Sequence, residues 1–110
     1  MKPDDSIRVV RFSGELEIGR KNEIRDGLGA GRDAPAVLLD LAEVTYADSV
    51  ALTELLRFCA EAQRENRPVA LVIKARQFAR LVEYAGLASA FHIFEDSAAA
   101  SAYLLQSLRP

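Results

Sequence analysis

Two short runs, Ala36 to Leu41 (AVLLDL) and Val69 to Ile73 (VALVI), are almost wholly apolar, and the residues between them repeat with helical spacing. A continuous run of this kind marks a strand covered on both faces in a parallel α/β sheet, whereas a strand with one wet face alternates. From Ser49 to Glu65 the apolar Leu52, Leu55, Leu56, Cys59 and Ala62 recur three and four apart, with Thr53, Glu54, Arg57, Glu61 and Arg64 elsewhere on the wheel. Asn66 to Pro68 then breaks the helix. Strand, amphipathic helix and strand in that order predict a parallel βαβ unit, with Ala36 to Leu41 at the centre of the sheet.

Around that unit the signals are shorter. Ile7 to Phe12 is β-branched and aromatic, and after Ser13 and Gly14 a second extended piece, Glu15 to Ile18, predicts an opening hairpin. Asn22 to Leu28 places Ile24 and Leu28 on one helical face, and Gly27, Gly29 and Gly31 mark its end and a loop. Gln77 to Ala85 turns Phe78, Leu81 and Val82 inward and stops at Gly86, a natural left-handed cap on which Leu87 packs back. Phe91 to Phe94 reads as a short strand, with His92 on its polar side and Phe91 and Ile93 facing the other way. Asp96 or Ser97 caps a last, alanine- and leucine-rich helix over Ala98 to Leu108.

The 110 residues, half of them hydrophobic, suffice for one core without metals or disulfides, so residues 1–110 are expected to form a single α/β domain. Fourteen basic against sixteen acidic residues exclude the basic excess of a phosphate-backbone binder, so nucleic acid is not an expected partner. A single cysteine, Cys59, forms no internal disulfide and suits a reducing compartment. No apolar run approaches the roughly 20 residues that span a bilayer, and the opening MKPDDSIRVV has no hydrophobic signal core. The expectation is a soluble chain in the cytoplasm, without membrane insertion.

Function is expected where the central strand meets its helix, at Asp48-Ser49. A helix N-terminus offers unpaired N–H groups and partial positive charge, so a hydroxyl there is capped, presented to a partner or phosphorylated at modest structural cost. With Asp48 as N-cap, Ser49 lies in the first turn, and a phosphate adds about 1.5 to 2 negative charges where the dipole favours an anion. Such charge leaves the fold intact and repels a docked partner. Serine and aspartate are also the commonest caps, so plain capping stands beside this reading. Tyr46 before the helix and Thr53 one turn into it border the same surface, or are simply exposed, and Glu15, Glu17 and Arg20 lie beside it or are merely solvated.

The order of these elements, with Gly14-Glu15-Leu16 after the first strand, a strand ending Asp40-Leu41, Asp48-Ser49 opening a helix, and Leu81, Gly86-Leu87, Phe91 and Ile93 near the end, resembles a STAS domain over roughly Val9 to Leu104. The family takes its name from sulfate transporters and anti-sigma factor antagonists. The resemblance implies a small mixed sheet of about four to five strands, an opening hairpin and then parallel βαβ units, flanked by helices. It implies protein recognition rather than chemistry. In the free-standing antagonists, which this chain resembles most, a serine in an Asp-Ser-Ser-Gly-like motif is phosphorylated by the partner anti-sigma factor kinase. Here Asp48 and Ser49 match, while Val50 and Ala51 stand where the motif has serine and glycine.

The resemblance therefore implies Ser49 as the phosphorylation site and Asp48, Ser49, Val50, Thr53, Tyr46 and Glu15 as partner-binding residues. The partner is a serine kinase that itself holds the ATP. The alternative is a subunit that docks on a partner ATPase, as in a lipid-transport ABC complex, without phosphorylation. No catalytic residue, metal ligand or cofactor is expected in the chain. His92 is its only histidine, Ser49 lacks the flanking glycines of a nucleophile elbow, and Gly27, Gly29 and Gly31 match no phosphate-binding or dinucleotide loop. The oligomeric state is left open, a weak homodimer included.

Overall fold

The computed structural model describes residues 6–109. Its elements are β1 (Ile7–Leu16), a 3-10 turn (Ile18–Arg20), α1 (Lys21–Gly29), β2 (Ala36–Ala47), α2 (Ser49–Arg64), β3 (Val69–Ile73), α3 (Arg76–Tyr84), a second 3-10 turn (Ala88–Ala90), β4 (Ile93–Phe94) and α4 (Ser97–Ser107). The strands form one sheet in the order β1-β2-β3-β4, every described pair parallel.

Alternation along the two apolar runs explains their composition. Val37, Leu39 and Leu41 of β2 and Val69, Leu71 and Ile73 of β3 face a large core shared with Ile24 and Leu28 of α1, Leu52, Leu55 and Phe58 of α2, and Phe78 and Val82 of α3. The residues between them, Ala36, Leu38, Ala70 and Val72, face a smaller core closed by Ala100 and Leu104 of α4. Three helices thus cover one face and α4 the other, so both faces are dry, as a continuous apolar run requires.

The expected α/β architecture stands, with two corrections to its opening. The pieces read as a hairpin are a single strand: β1 stays beside β2 from Ile7↔Ala36 to Leu16↔Ala47 and slips register between Arg11 and Ser13 and again between Gly14 and Glu15. Gly14, at φ +75°, supplies a bend within a strand rather than a turn between two. With no returning strand, the described sheet is wholly parallel rather than mixed.

Other boundaries shift for local reasons. β2 runs on to Ala47, well past its apolar run, because beyond Leu41 it pairs only with β1 and needs inward residues only at Val44 and Ala47. The strand expected over residues 91–94 is only Ile93–Phe94; Phe91 is core, Ile93 is 37% exposed, and exposed His92 stacks on Tyr103 of α4 with ring centroids 4.7 Å apart. α3 ends as its glycine predicts: Gly86, at φ +71°, donates to Glu83 O and Leu87 donates to Val82 O, the paired bonds of a Schellman cap. Asp96, rather than Ser97, caps α4 by accepting from Ala99 N–H at 2.8 Å. Among the described residues no helix is long and apolar enough to cross a membrane.

Candidate functional site

The tip of α2 is organised by one carboxylate. Asp48 is extended, and its Oδ1 accepts from Ala51 N–H at 2.9 Å, the bond of an N-cap to the third helical residue. Its Oδ2 accepts from Ile18 N–H, also at 2.9 Å, and its own N–H donates to Leu16 O at 3.0 Å. Asp48 therefore caps α2 and straps the end of β1 to it. Cap and serine are different residues: Ser49 is exposed in the first helical position, and only its carbonyl is engaged, accepting from Thr53 Oγ1 at 2.8 Å. The Ser49 hydroxyl has no bonding partner among the described residues.

Of the other residues singled out from the sequence, Val50 and Thr53 share the first turns of α2 with Ser49, whereas Tyr46 and Glu15 pair across β1 and β2 at positions alternating with the inward-facing Ala47 and Leu16. Val50 is half-buried and Ala51 wholly buried in the first turn, and Thr53 is exposed one turn on. Tyr46, near the end of β2, is 43% exposed, and exposed Glu15 lies opposite it in the β1–β2 ladder. Arg20 has a structural task. Its Nη1 donates to Ser13 O at 2.7 Å and to Glu15 O at 2.8 Å, holding the carbonyls on either side of the Gly14 bend. The same guanidinium pairs with Glu23 through Nε and Nη2. That hydrogen bond holds the exposed Glu23 carboxyl below the usual carboxylate range and raises Arg20.

Two residues at the site escaped sequence reading. Ile18, in the turn strapped by Asp48, is 65% exposed, a large apolar side chain beside the helix tip. The sequence pattern reads it as the end of an extended piece, Glu15 to Ile18. Gln77, at the start of α3, grips the end of β2: Ala47 N–H donates to its Oε1 at 2.9 Å and its Nε2 donates to Ala47 O at 2.8 Å. β3 ends opposite Leu41, so Gln77 supplies the pairing that a neighbouring strand no longer offers. A lone glutamine on an amphipathic helix carries no signal of such a role. The geometry presents a polar, bondable hydroxyl on a rigid helix tip, with Val50 and Thr53 in the first turns of the same helix and exposed Ile18 in the turn strapped to Asp48.

Residues 1–100 match the family model of the STAS domain. The chain belongs to the STAS-domain family. Solved STAS-type structures share its architecture at low sequence identity. An anti-sigma factor antagonist from Mycobacterium paratuberculosis superposes with a TM-score of 0.83 at 24% identity, over 91% of this chain and 86% of that one. A sulfate transporter family protein from Wolinella succinogenes gives 0.75 at 14% identity over 94% and 88%. The Bacillus cell fate determinant SpoIIAA in its phosphorylated form gives 0.67 at 15% over 90% and 92%. No curated protein sequence matches the chain. Antagonists and a transporter-family protein are similar to it alike, so this likeness carries the STAS fold, and function must be argued from the site.

Proposed function

We propose that this STAS domain is a regulatory protein-interaction module of the anti-sigma factor antagonist type. Unphosphorylated, it docks through the α2 tip on an anti-sigma factor that is also a serine kinase and uses ATP; phosphorylation of Ser49 releases it. In this reading the nucleotide and the phosphoryl-transfer chemistry belong to the partner, and the cytoplasm is the compartment that supplies both. One observation carries the reading: because Asp48 takes the cap, the Ser49 hydroxyl is exposed and uncommitted at a helix N-terminus. A phosphate there meets a favourable dipole, so the fold persists, while a partner seated on the tip meets a dianion it must desolvate.

The test is affinity purification from the native host followed by intact mass measurement, with Ser49→Asp and Ser49→Ala assayed in parallel. A copurified kinase, one added phosphate at Ser49, binding lost in Ser49→Asp and retained in Ser49→Ala are expected. Two variants that bind alike refute the switch. One feature favours a second reading, constitutive docking on the ATPase of an ABC-type complex: Val50 and Ala51 replace the Ser-Gly of the phosphorylated motif. Recovery of transporter components with unmodified Ser49 selects it.

A further inference from the structure

Helix α3 carries exposed charge that the fold does not use. Arg76, Arg80 and Tyr84 are spaced four apart, which at 3.6 residues per turn confines them to about 80° of the helix surface. All three are exposed, Tyr84 at 87%, and neither arginine has an ion pair or hydrogen-bond partner among the described residues. Lys74, exposed just before the helix, is likewise unpaired. The opposite face, with Phe78 and Val82, is buried in the core.

The placement of this stripe matters more than its charge. On the helical wheel Gln77 lies next to it, and Gln77 is bonded to both backbone groups of Ala47, two residues before Ser49. Arg76 adjoins Gln77 in the chain, so the stripe starts beside the α2 tip and runs away from it along α3. The acidic residue of α3, Glu83, borders the other edge of the stripe, about 20° beyond Arg76 on the wheel and on the side away from Gln77. Net charge for the chain is −2, so a run of unpaired cations bordering the tip is a local reversal of sign.

We propose that the Arg76–Arg80–Tyr84 flank of α3 is the electrostatic half of the docking surface and seats an acidic segment of the protein partner. This rests on the reading of the α2 tip as a docking site and names the chemistry of what docks there. Arginine suits carboxylates through its planar fork, and an exposed tyrosine adds rigid contact area of the kind interfaces favour. The same charge accounts for the sign of the switch: a dianion on Ser49 lowers the positive potential at the head of the stripe and repels the acidic segment it attracts.

The experiment compares wild type, Arg76→Glu/Arg80→Glu and Ser49→Asp, as full chains, for binding to the purified partner recovered by the affinity experiment. Titrations are run at about 0.05 M and about 0.5 M salt, where screening lengths differ roughly threefold. The double reversal is expected to weaken binding about tenfold or more at low salt, with the gap shrinking at high salt, and to leave the thermal melt unchanged. If it binds like wild type while Ser49→Asp does not bind, the stripe proposal is overturned and the α2-tip reading survives. If neither variant alters binding, both are overturned. A reversal that leaves partner binding intact but abolishes association with phosphatidylserine-containing vesicles overturns the acidic-segment assignment in favour of a membrane surface.

Discussion

Replacing Asp48 by alanine removes two hydrogen bonds, one local to the start of α2 and one to the turn after β1, and the cost can be worked out bond by bond. Loss of an N-cap acceptor costs about 1 kcal/mol. The Ile18 N–H loses a carboxylate acceptor, a bond worth about 1.5 kcal/mol or more when fully desolvated; the exposed turn lets water recover part, leaving about 1 kcal/mol. The sum, about 2 kcal/mol, corresponds to a fall in Tm of about 8 °C at roughly 4 °C per kcal/mol for a domain of this size. Asp48→Ser separates the two contributions, because serine caps a helix but is too short to reach Ile18 as well, so it is expected to lose about half. Ser49→Ala provides the contrast: the hydroxyl caps nothing, and stability is expected within about 0.5 kcal/mol of wild type. Urea titrations of the three variants check this. If Asp48→Ala costs under about 0.5 kcal/mol, or Ser49→Ala costs as much as Asp48→Ala, then Asp48 is not the residue that caps and straps the tip.

Other perturbations test the surrounding frame. Gln77→Ala leaves the N–H and C=O of fully buried Ala47 without their partners, and is expected to cost about 2 kcal/mol and to speed hydrogen exchange at the Ala47 amide. Gly27→Ala drives a new Cβ to 2.6 Å from Cζ of core residue Phe12; the overlap, about 1–3 kcal/mol, outweighs the helix-propensity gain of about 1 kcal/mol, so a lower urea midpoint is expected. Burial pushes the Cys59 thiol from its ordinary 9.0 up to about 12. The folded chain therefore keeps this proton to higher pH than the unfolded one, and stability is unaffected below about pH 9 and falls from there toward pH 12. Urea melts at rising pH should show that slope in wild type and a shallower one in Cys59→Ala. Glu23, held low by Arg20, has the opposite sign: its contribution is present at neutral pH and is lost as pH falls through its depressed value, and an NMR titration of Glu23 should return to the ordinary range in Arg20→Ala.

How much of this was legible depended on whether one residue type had one physical use. The runs at residues 36–41 and 69–73 could be read because apolar residues at successive positions have few uses besides a strand dry on both faces. Gly86 could be read because a glycine ending an amphipathic helix meets one demand, a left-handed cap. Ser13-Gly14 misled because the same positive φ serves a hairpin or a bulge equally well, and the choice lies with Arg20, which grips the carbonyls on either side from seven and five residues away. The polar second half of β2 was missed because one face there is open and the strand needs only Val44 and Ala47 as anchors. Ile18 and Gln77 were illegible for a shared reason: both act through backbone contacts 30 residues away, to Asp48 and Ala47, which no local pattern encodes.

The capping and signalling readings of Asp48-Ser49 look like rivals while the two residues are letters in a string, because either side chain can fill the one cap position. The fold removes the rivalry by dividing the labour. Both Asp48 oxygens are spent, one on α2 and one on the β1 turn, and the consequence is that Ser49 is free of structural duty. A switch residue has to satisfy opposed demands: it must be held in place by a rigid support, yet its own side chain must be dispensable to that support. An aspartate followed by a serine at a helix start meets both with adjacent residues. Under the proposed function it also makes Val50 the informative departure: half-buried in the same turn as Ser49, it would alter the surface offered to a partner without altering what holds the serine.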